Sequence, residues 1–219
     1  MLFKIKDRYD KNKVIFEYEL DERRQSLEYS AQKGYVISQA IHRRISLSGA
    51  NLSRAYLNCA NLRPTDYGNL NSSSTDLSGA DLSGSDLRRV DLSYANLKGT
   101  DFSESNLEGA DLASANLEGA YLRKVNLIRA NLNSANLMYT NLTGSNLAQA
   151  TLIGADLHSA NLTNTYFNLA DLRRANLHNA DFSDAVLLNA DFRGAYCSNA
   201  IYNSKTKFTD IRANMILKD

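Results

Sequence analysis

Residues 109–128 read GADLASANLEGAYLRKVNLI, and a leucine returns at every fifth position of this stretch. The same frame runs from Leu47 to Tyr202 and gives 32 pentapeptides, of which 28 have Leu or Phe at the central position. Ala stands two residues before the central position in 20 units, and Asn or Asp stands between the two in 24. The unit is therefore A-(N/D)-L-x-x, and this repeat decides the architecture.

A period of five residues fits neither regular secondary structure. In an α-helix, successive leucines would be offset by roughly 140° and would spiral around the axis without forming a stripe. In one long strand, an odd period would send successive leucines to opposite faces. The pattern instead predicts a short extended piece, with Ala and Leu pointing inward and Asn or Asp outward. A turn follows at the last two positions, which are rich in Ser, Gly, Asn and Arg.

The segments SGANLSRAYLNCANL (48–62) and ASANLEGAYLRKVNLIRANL (113–132) closely resemble the pentapeptide-repeat family. The resemblance covers residues 45–204 and implies an all-β fold, a right-handed four-sided parallel β-helix of about eight coils. The four sides come from the resemblance, because the aromatic central residues fit periods of 15 and 20 equally well. The leucines would stack along the axis as a core ladder that includes Leu77, Leu82, Leu87, Leu92, Leu97, Phe102, Leu107, Leu112 and Leu117.

Residues 1–44 lack the repeat and are expected to form an N-terminal capping module. Apolar and polar residues alternate in residues 3–20 around the polar turn DKNK, which predicts a β-hairpin. A short helix over residues 22–33 should follow, with Asp21 as its N-cap and Gly34 as its stop. The segment loosely resembles a module that precedes repeats in bacterial and phage relatives, and a recognition role is the alternative to capping. The expected cap residues are Phe3, Ile5, Tyr9, Ile15 and Phe16.

Three further stretches depart from the regular repeat. Ile37 and Ala40 lie on the pentapeptide frame, which predicts a frayed first coil with His42 at a central position. Residues 63–74 break the motif, and a local bulge is expected there. Residues 205–219 resemble the closing segment of related repeat proteins and should form a C-terminal cap. Its expected lid residues are Phe208, Ile211, Met215 and Ile216.

The composition limits the possible partners. The 219 residues carry a formal net charge of +1, so neither nucleic acid nor an acidic membrane is expected as a partner. The apolar start, residues 1–3, is too short for a signal peptide or a membrane span, and a cytoplasmic protein is expected. Cys197 should point inward and Cys59 outward, about seven coils apart, which excludes a disulfide between them.

A core packed with leucine leaves no cavity for a substrate, so the sequence argues against an enzyme. Met138, His158 and His178 stand 20 residues apart and should form a column on the surface. Two histidines without a third convergent ligand make a weak metal site. No metal, cofactor or catalytic residue is therefore predicted.

Function is expected on the outward positions. Exposed apolar residues should cluster over the last coils, and such a patch marks a contact surface. The chain's own tail, a second copy or another protein could cover it, and the sequence leaves monomer or dimer open. The candidate interaction patch consists of Ile128, Tyr166, Leu169, Val186 and Leu188.

The favoured interpretation is a non-enzymatic scaffold that presents flat faces for protein contacts. The alternative is a DNA mimic of the kind by which some family members protect DNA gyrase from quinolones. Such a mimic needs negative charge along its whole length. Residues 76–118 contain nine Asp and Glu, but residues 119–179 contain five Arg and Lys against Asp156 and Asp171. This change of sign disfavours the mimic.

Overall fold

The structure is a computed structural model that describes residues 1–57 and 75–209, with the backbone of one strand beyond them. The helices of this part are α1 (Glu22–Gln25) and α2 (Tyr29–His42). Its strands are β1 (Leu2–Lys6), β2 (Val14–Glu19), β3 (Val186–Leu187), β4 (Ala200–Tyr202), β5 (Lys207–Phe208) and β6 (Met215–Leu217). Elsewhere in the repeat the described chain forms isolated β-bridges and turns in a five-residue rhythm.

Parallel β-bridges join the residues that precede the central leucines of successive coils. Every described bridge from the pair Asp76 and Asn96 to the pair Asp181 and Ile201 spans 20 residues. A coil therefore contains four pentapeptides, each ending in a turn. The sequence left periods of 15 and 20 open, and the backbone pairing decides for 20.

The unit around Leu112 shows how the backbone builds a coil. The Leu112 N–H donates to the Asn131 carbonyl at 2.7 Å, and the Asp111 N–H donates to the Val90 carbonyl at 2.8 Å. These two bonds tie the unit to the coils on both sides. The Ala115 N–H donates to the Leu112 carbonyl at 3.0 Å and closes the turn.

The last residue of each described unit as far as Asn199 adopts a left-handed backbone conformation, with φ of 64° at Gly119 and 56° at Ser114. Glycine accepts this conformation freely, whereas other residues lose about 1–2 kcal/mol. The position explains why Gly and Asn recur at the ends of the units. Leu169 is the aliphatic exception among the described positive-φ residues, with φ of 60°.

The central side chains fill the interior. All nine residues of the predicted core ladder are at most 1% exposed. The residues two positions earlier are also buried, which explains why they are small. Where Thr replaces Ala, its hydroxyl bonds to the main chain, as Thr100 does to the Leu77 carbonyl at 2.8 Å. Cys197 is buried, and this burial raises the pKa of its thiol to about 11, while Cys59 lies outside the described residues.

The recurring Asn and Asp side chains support the turns. The Asp81 carboxylate accepts the Ser83 N–H at 3.0 Å, and the same contact recurs along the solenoid. Asparagines also bond between coils, as when the Asn131 amide donates to Asp111 Oδ1 at 3.0 Å. These Asn and Asp side chains therefore serve the hydrogen bonding of the solenoid itself.

The N-terminal hairpin and the Asp21 N-cap agree with the predictions from the sequence, but the bounds of the helices do not. β1 pairs antiparallel with β2, and the Asp21 carboxylate accepts the Arg24 N–H at 2.9 Å. The predicted helix over residues 22–33 is wrong, because α1 ends at Gln25 and α2 continues through Gly34 to His42. Ile37 belongs to α2, and His42 ends that helix instead of taking a central position.

Gly34 is a contact residue and not a helix stop. A Cβ atom at this position would lie 1.9 Å from the carbonyl oxygen of Tyr56 in the first coil. A separation below 3 Å from backbone cannot be tolerated, so α2 can pack this close to Tyr56 only because residue 34 is glycine. Local sequence patterns assign glycine to helix ends. They contain no information about tertiary contacts such as this one, so the prediction for Gly34 failed.

Tyr9 lies apart from the other expected cap residues. Its side chain is 82% exposed, whereas Phe3 and Ile5 are buried and Ile15 and Phe16 pack partly against the core. The alternation of apolar and polar residues in the hairpin ends before Tyr9, because the Asp7 carboxylate accepts the Tyr9 N–H at 2.8 Å and begins the turn. Including Tyr9 in the cap was therefore wrong.

Arg8 instead connects the hairpin to the coils. Its N–H donates to the Gly49 carbonyl at 2.8 Å, and its guanidinium donates to the Gly79 carbonyl at 3.2 Å. The same guanidinium lies 3.4 Å from the Asp101 carboxylate. Arg8 thus contacts three successive coils at the start of the solenoid, one through its main-chain N–H and two through its guanidinium.

Lys33 in the docked helix α2 should make the folding stability of the protein depend on pH. Its ammonium donates to the Ser53 carbonyl at 2.9 Å, and burial lowers the pKa of Lys33 from 10.5 to about 8. Between these pH values the unfolded chain binds more protons, so folding stability should rise with pH from about 8 to 10.5. We expect a gain of about 1–2 kcal/mol after allowing for screening by solvent.

Urea unfolding of the wild type and of Lys33→Met at pH 7.5 and pH 10 measures this effect. The variant should lack the part of the gain that belongs to Lys33, while the other titrating groups change both proteins alike. Equal pH dependence in the two proteins would show that Lys33 is not desolvated by the solenoid.

The register of the solenoid changes across the segment that is not described. Asn51 pairs with Asp81, and Tyr56 pairs with Asp86, so the spacing of these bridges is 30 residues instead of 20. The connection therefore contains ten residues more than a regular coil. The bulge predicted for residues 63–74 itself lies outside the described residues.

The C-terminal segment adds strands to existing faces. β5 pairs parallel with β3, and β6 pairs parallel with β4. The Phe208 ring is half-buried and meets the Tyr202 ring edge-on at 5.5 Å. Of the other expected lid residues, Met215 and Ile216 belong to β6, and Ile211 lies outside the described residues.

Candidate protein-interaction faces

The four pentapeptides of a coil define four faces of the solenoid. We name them by one central residue of a middle coil: face 1 by Leu117, face 2 by Leu122, face 3 by Leu127 and face 4 by Leu132. Residues 20 positions apart lie on the same face in neighbouring coils. The central residues point inward, so each face presents the remaining positions of its units.

Face 3 carries the predicted interaction patch near the C-terminal end. Tyr166 is 47% exposed, Leu169 is 57% exposed and Leu188 is 39% exposed. Val186 lies one coil after Tyr166 and is half-buried. A parallel bridge joins the two residues. The structure thus brings four of the five residues together in two adjacent coils.

Ile128, the fifth predicted residue, stands apart from this group. It lies 60 residues before Leu188 and hence three coils away on the same face, with Ala148 and Asn168 between them. Its side chain is half-buried. From here on, the face 3 patch means Tyr166, Leu169, Val186 and Leu188.

The described part of the tail extends face 3. Lys207 pairs with Val186, and Phe208 pairs with Leu187, as a further rung beyond the patch. On this side the Asn189 N–H donates a hydrogen bond to Thr209 Oγ1 at 2.6 Å. Tyr166, Leu169 and Leu188 remain exposed beside this rung.

Face 4 carries an arginine ladder that the sequence interpretation missed. Arg173 binds the Asp171 carboxylate through Nε and Nη2 at 2.9 and 2.7 Å, and Arg193 binds Asp191 at 3.0 and 2.6 Å. These bonds lower the pKa of both carboxyl groups. The signal was present in the sequence as ADLRRA and ADFRGA, in which Asp precedes Arg by two residues and the motif returns 20 residues later.

A surface cavity of about 520 Å³ opens beside this ladder. It is lined by Ile153, Arg173, Arg174, Arg193 and Gly194. Three guanidinium groups against the two carboxylates of the ladder make its surroundings positive.

Face 1 carries the column of histidines. The rings of His158 and His178 stack at 5.2 Å with an angle of 10° between their planes, and Tyr139 meets His158 edge-on at 5.6 Å. In the described residues, no group of three or more His, Cys, Asp or Glu could hold a metal ion. The column is an aromatic stack on the solenoid surface.

Comparison with known proteins gives the family of this parallel solenoid of five-residue units. The family model for pentapeptide repeats matches in eight copies over residues 37–66, 73–109, 105–138, 130–168 and 170–201. The chain belongs to the pentapeptide-repeat family, whose members form right-handed β-helices. A search of curated proteins gave no match.

Solved structures of the family are similar to the chain. HetL, a pentapeptide repeat protein involved in heterocyst differentiation regulation in the cyanobacterium Nostoc sp. strain PCC 7120, is 30% identical. That match covers 74% of this chain and 84% of HetL, with a TM-score of 0.45. A thylakoid-lumen pentapeptide repeat protein of Arabidopsis thaliana is 36% identical over 50% of this chain and 66% of that one, with a TM-score of 0.36.

A third similar structure is QnrB1, a plasmid-mediated fluoroquinolone resistance protein. It is 19% identical over 67% of this chain and 78% of its own, with a TM-score of 0.46. Within the described residues, neither helix is long and apolar enough to cross a membrane.

Proposed function

We propose that this protein is a non-enzymatic, cytoplasmic scaffold that binds another protein through the face 3 patch. The observation that supports this proposal is the exposure of Tyr166, Leu169 and Leu188 in neighbouring coils of one flat face. Large apolar side chains that cluster on a surface mark contact sites. In this proposal residues 1–44 and 205–219 serve as caps, and residues 45–204 form the scaffold.

Leu169 strengthens the argument because its position is costly. A leucine with φ of 60° loses about 1–2 kcal/mol of backbone energy, and its side chain is 57% exposed. Gly, Asn, Ser or Arg takes this position in most described units. Strained and exposed apolar residues are typical of binding surfaces.

The solenoid also fixes the geometry of the patch. Leu169 N–H donates to the Leu188 carbonyl at 2.9 Å, and Tyr166 N–H donates to the Ser145 carbonyl at 3.0 Å. The patch residues therefore keep their spacing before a partner arrives. Such preorganisation lowers the entropy that binding costs.

The double variant Leu169→Asp/Leu188→Asp tests the proposal. Both residues are exposed, so the variant should keep the wild-type free energy of unfolding within about 1 kcal/mol. In quantitative affinity purification from the native host, partners bound by the wild type should fall at least tenfold, because two charges enter the apolar contact. The matched control is Asn164→Asp/Asn179→Asp, at exposed positions on faces 2 and 1. Partners retained by the patch variant and lost by the control would contradict the proposal.

Gyrase mimicry is the alternative function. It predicts that the purified protein inhibits supercoiling by DNA gyrase. Arg173, Arg174 and Arg193 place positive charge on face 4, which a mimic of the DNA backbone does not need. We therefore expect no inhibition at micromolar concentrations, and inhibition would favour the mimic over the scaffold.

A further inference from the structure

The arginine ladder on face 4 is built to hold its guanidinium groups still. Arg173 and Arg193 each use Nε and Nη2 to bind the Asp two residues earlier. Arg173 Nε also lies 3.8 Å from the Asp191 carboxylate, so the ladder alternates in charge along the axis. Among the described residues, the Nη1 groups of both arginines have no hydrogen-bond acceptor. Each guanidinium is thus oriented by one edge and has donors left on the other.

Arg174 supplies a third cation to the same cavity. Its stem lies over Gly194 in the next coil, with Cγ 3.5 Å from the position that a Cβ of Gly194 would occupy. It forms no ion pair with any described residue, unlike Arg173 and Arg193. The missing side chain at Gly194 gives the Arg174 stem room to extend along the solenoid surface beside the cavity.

The cavity and the face 3 patch are close together. Leu169 stands at the corner where face 3 turns into face 4, and only three residues separate it from Arg173. Three intervening residues of extended chain span at most about 14 Å, so both sites lie within reach of one short peptide. In the next coil Leu188 lies five positions before Arg193, one position further from its arginine than Leu169 is.

We propose that this corner binds an acidic, apolar segment of a partner protein. Its Asp or Glu carboxylates enter the cavity between Arg173, Arg174 and Arg193, and its apolar side chains cover Tyr166, Leu169 and Leu188. Charge complementarity selects the partner's acidic residues, and guanidinium groups with free donors suit the planar carboxylate. The inference rests on the scaffold proposed above and adds the chemistry of the partner.

Selection from a random phage-displayed library of dodecapeptides tests this inference on the immobilised full-length protein. The selected peptides should combine Asp or Glu with Leu or aromatic residues. Fluorescence anisotropy then compares one selected peptide with its version in which Gln replaces every acidic residue. The wild type should bind the acidic version about tenfold more tightly, and its affinity should fall with added salt.

Matched variants locate the effect. Arg174→Gln should weaken the acidic peptide several-fold, and Arg174→Gln/Arg193→Gln about tenfold. Lys124→Gln is the control, because the Lys124 stem lies over Gly144 on the opposite side of the solenoid with the same 3.5 Å geometry. It should bind as the wild type does. If Arg193→Gln disturbs folding, Arg174→Gln alone decides, since it breaks no ion pair with the described residues.

Two results would overturn the inference. One is equal binding of the acidic and the Gln peptides, or of Arg174→Gln and the wild type. The other is a selection that yields no peptides, or neutral peptides. Neutral peptides that are lost on Leu169→Asp/Leu188→Asp would leave the scaffold standing and reject only its preference for acidic partners.

Discussion

Gly34→Ala should destabilise the N-terminal module by about 3 kcal/mol, although alanine is the better helix former. Helix propensity alone predicts the opposite, a gain of about 1 kcal/mol in the middle of α2. The contact decides, because the added methyl would lie 1.9 Å from the Tyr56 carbonyl oxygen, and backbone cannot move aside as a flexible side chain can. We expect α2 to leave the first coil.

Thermal unfolding with hydrogen exchange measures this loss, and the amides of residues 29–57 should exchange faster than in the wild type. Gly119→Ala is the control, since it has free space around its Cβ and φ of 64°. It should lose about 1 kcal/mol through backbone strain alone. A Gly34→Ala protein that is as stable as the wild type would show that α2 does not dock on the coil.

Phe182→Ala should cost about 3–5 kcal/mol and loosen the last coils. The Phe182 side chain is fully buried, and its ring meets the rings of Phe167 at 6.1 Å and Phe192 at 6.2 Å, both edge-on. The substitution removes a ring from the middle of this stack and leaves a cavity. Since each coil contacts only its neighbours, the damage should remain near residues 160–200.

Denaturant unfolding with hydrogen exchange tests this prediction and its control, Phe182→Leu. Leucine is the common central residue of the repeat, so the control should cost less than about 1.5 kcal/mol. A small loss for alanine as well would contradict a tightly packed interior. Loss of protection that spreads evenly to residues 80–120 would contradict the coil-by-coil account.

The sequence contained the information for the solenoid because its signal is periodic. Every described central residue of the predicted ladder is buried, since a five-residue period leaves one way to bury the leucines. The number of units per coil was not in the sequence alone. It depends on the hydrogen bonds between coils, such as the Leu112 N–H to the Asn131 carbonyl at 2.7 Å.

The features that the sequence interpretation did not predict share a physical cause. Each depends on a tertiary contact made by a single residue. The sequence predicts Gly34 as a helix stop. In the structure Gly34 lies inside α2 and faces the Tyr56 carbonyl. Arg173 entered the sequence interpretation only as one of five positive charges, whereas its 20-residue repetition with Arg193, Asp171 and Asp191 becomes a ladder only in the folded coils. Arrangements of this kind follow from the register and not from local propensity.

Face-specific photocrosslinking in the native host tests the central claim, that face 3 carries the partner. A benzoylphenylalanine residue is placed in turn at one exposed position on each face: Asn179 for face 1, Asn164 for face 2, Leu188 for face 3 and Ser134 for face 4. The account predicts that the variant at position 188 crosslinks a specific protein and that the variants at 179 and 164 give none. The same protein crosslinked from faces 1 and 2, with none from position 188, would contradict it.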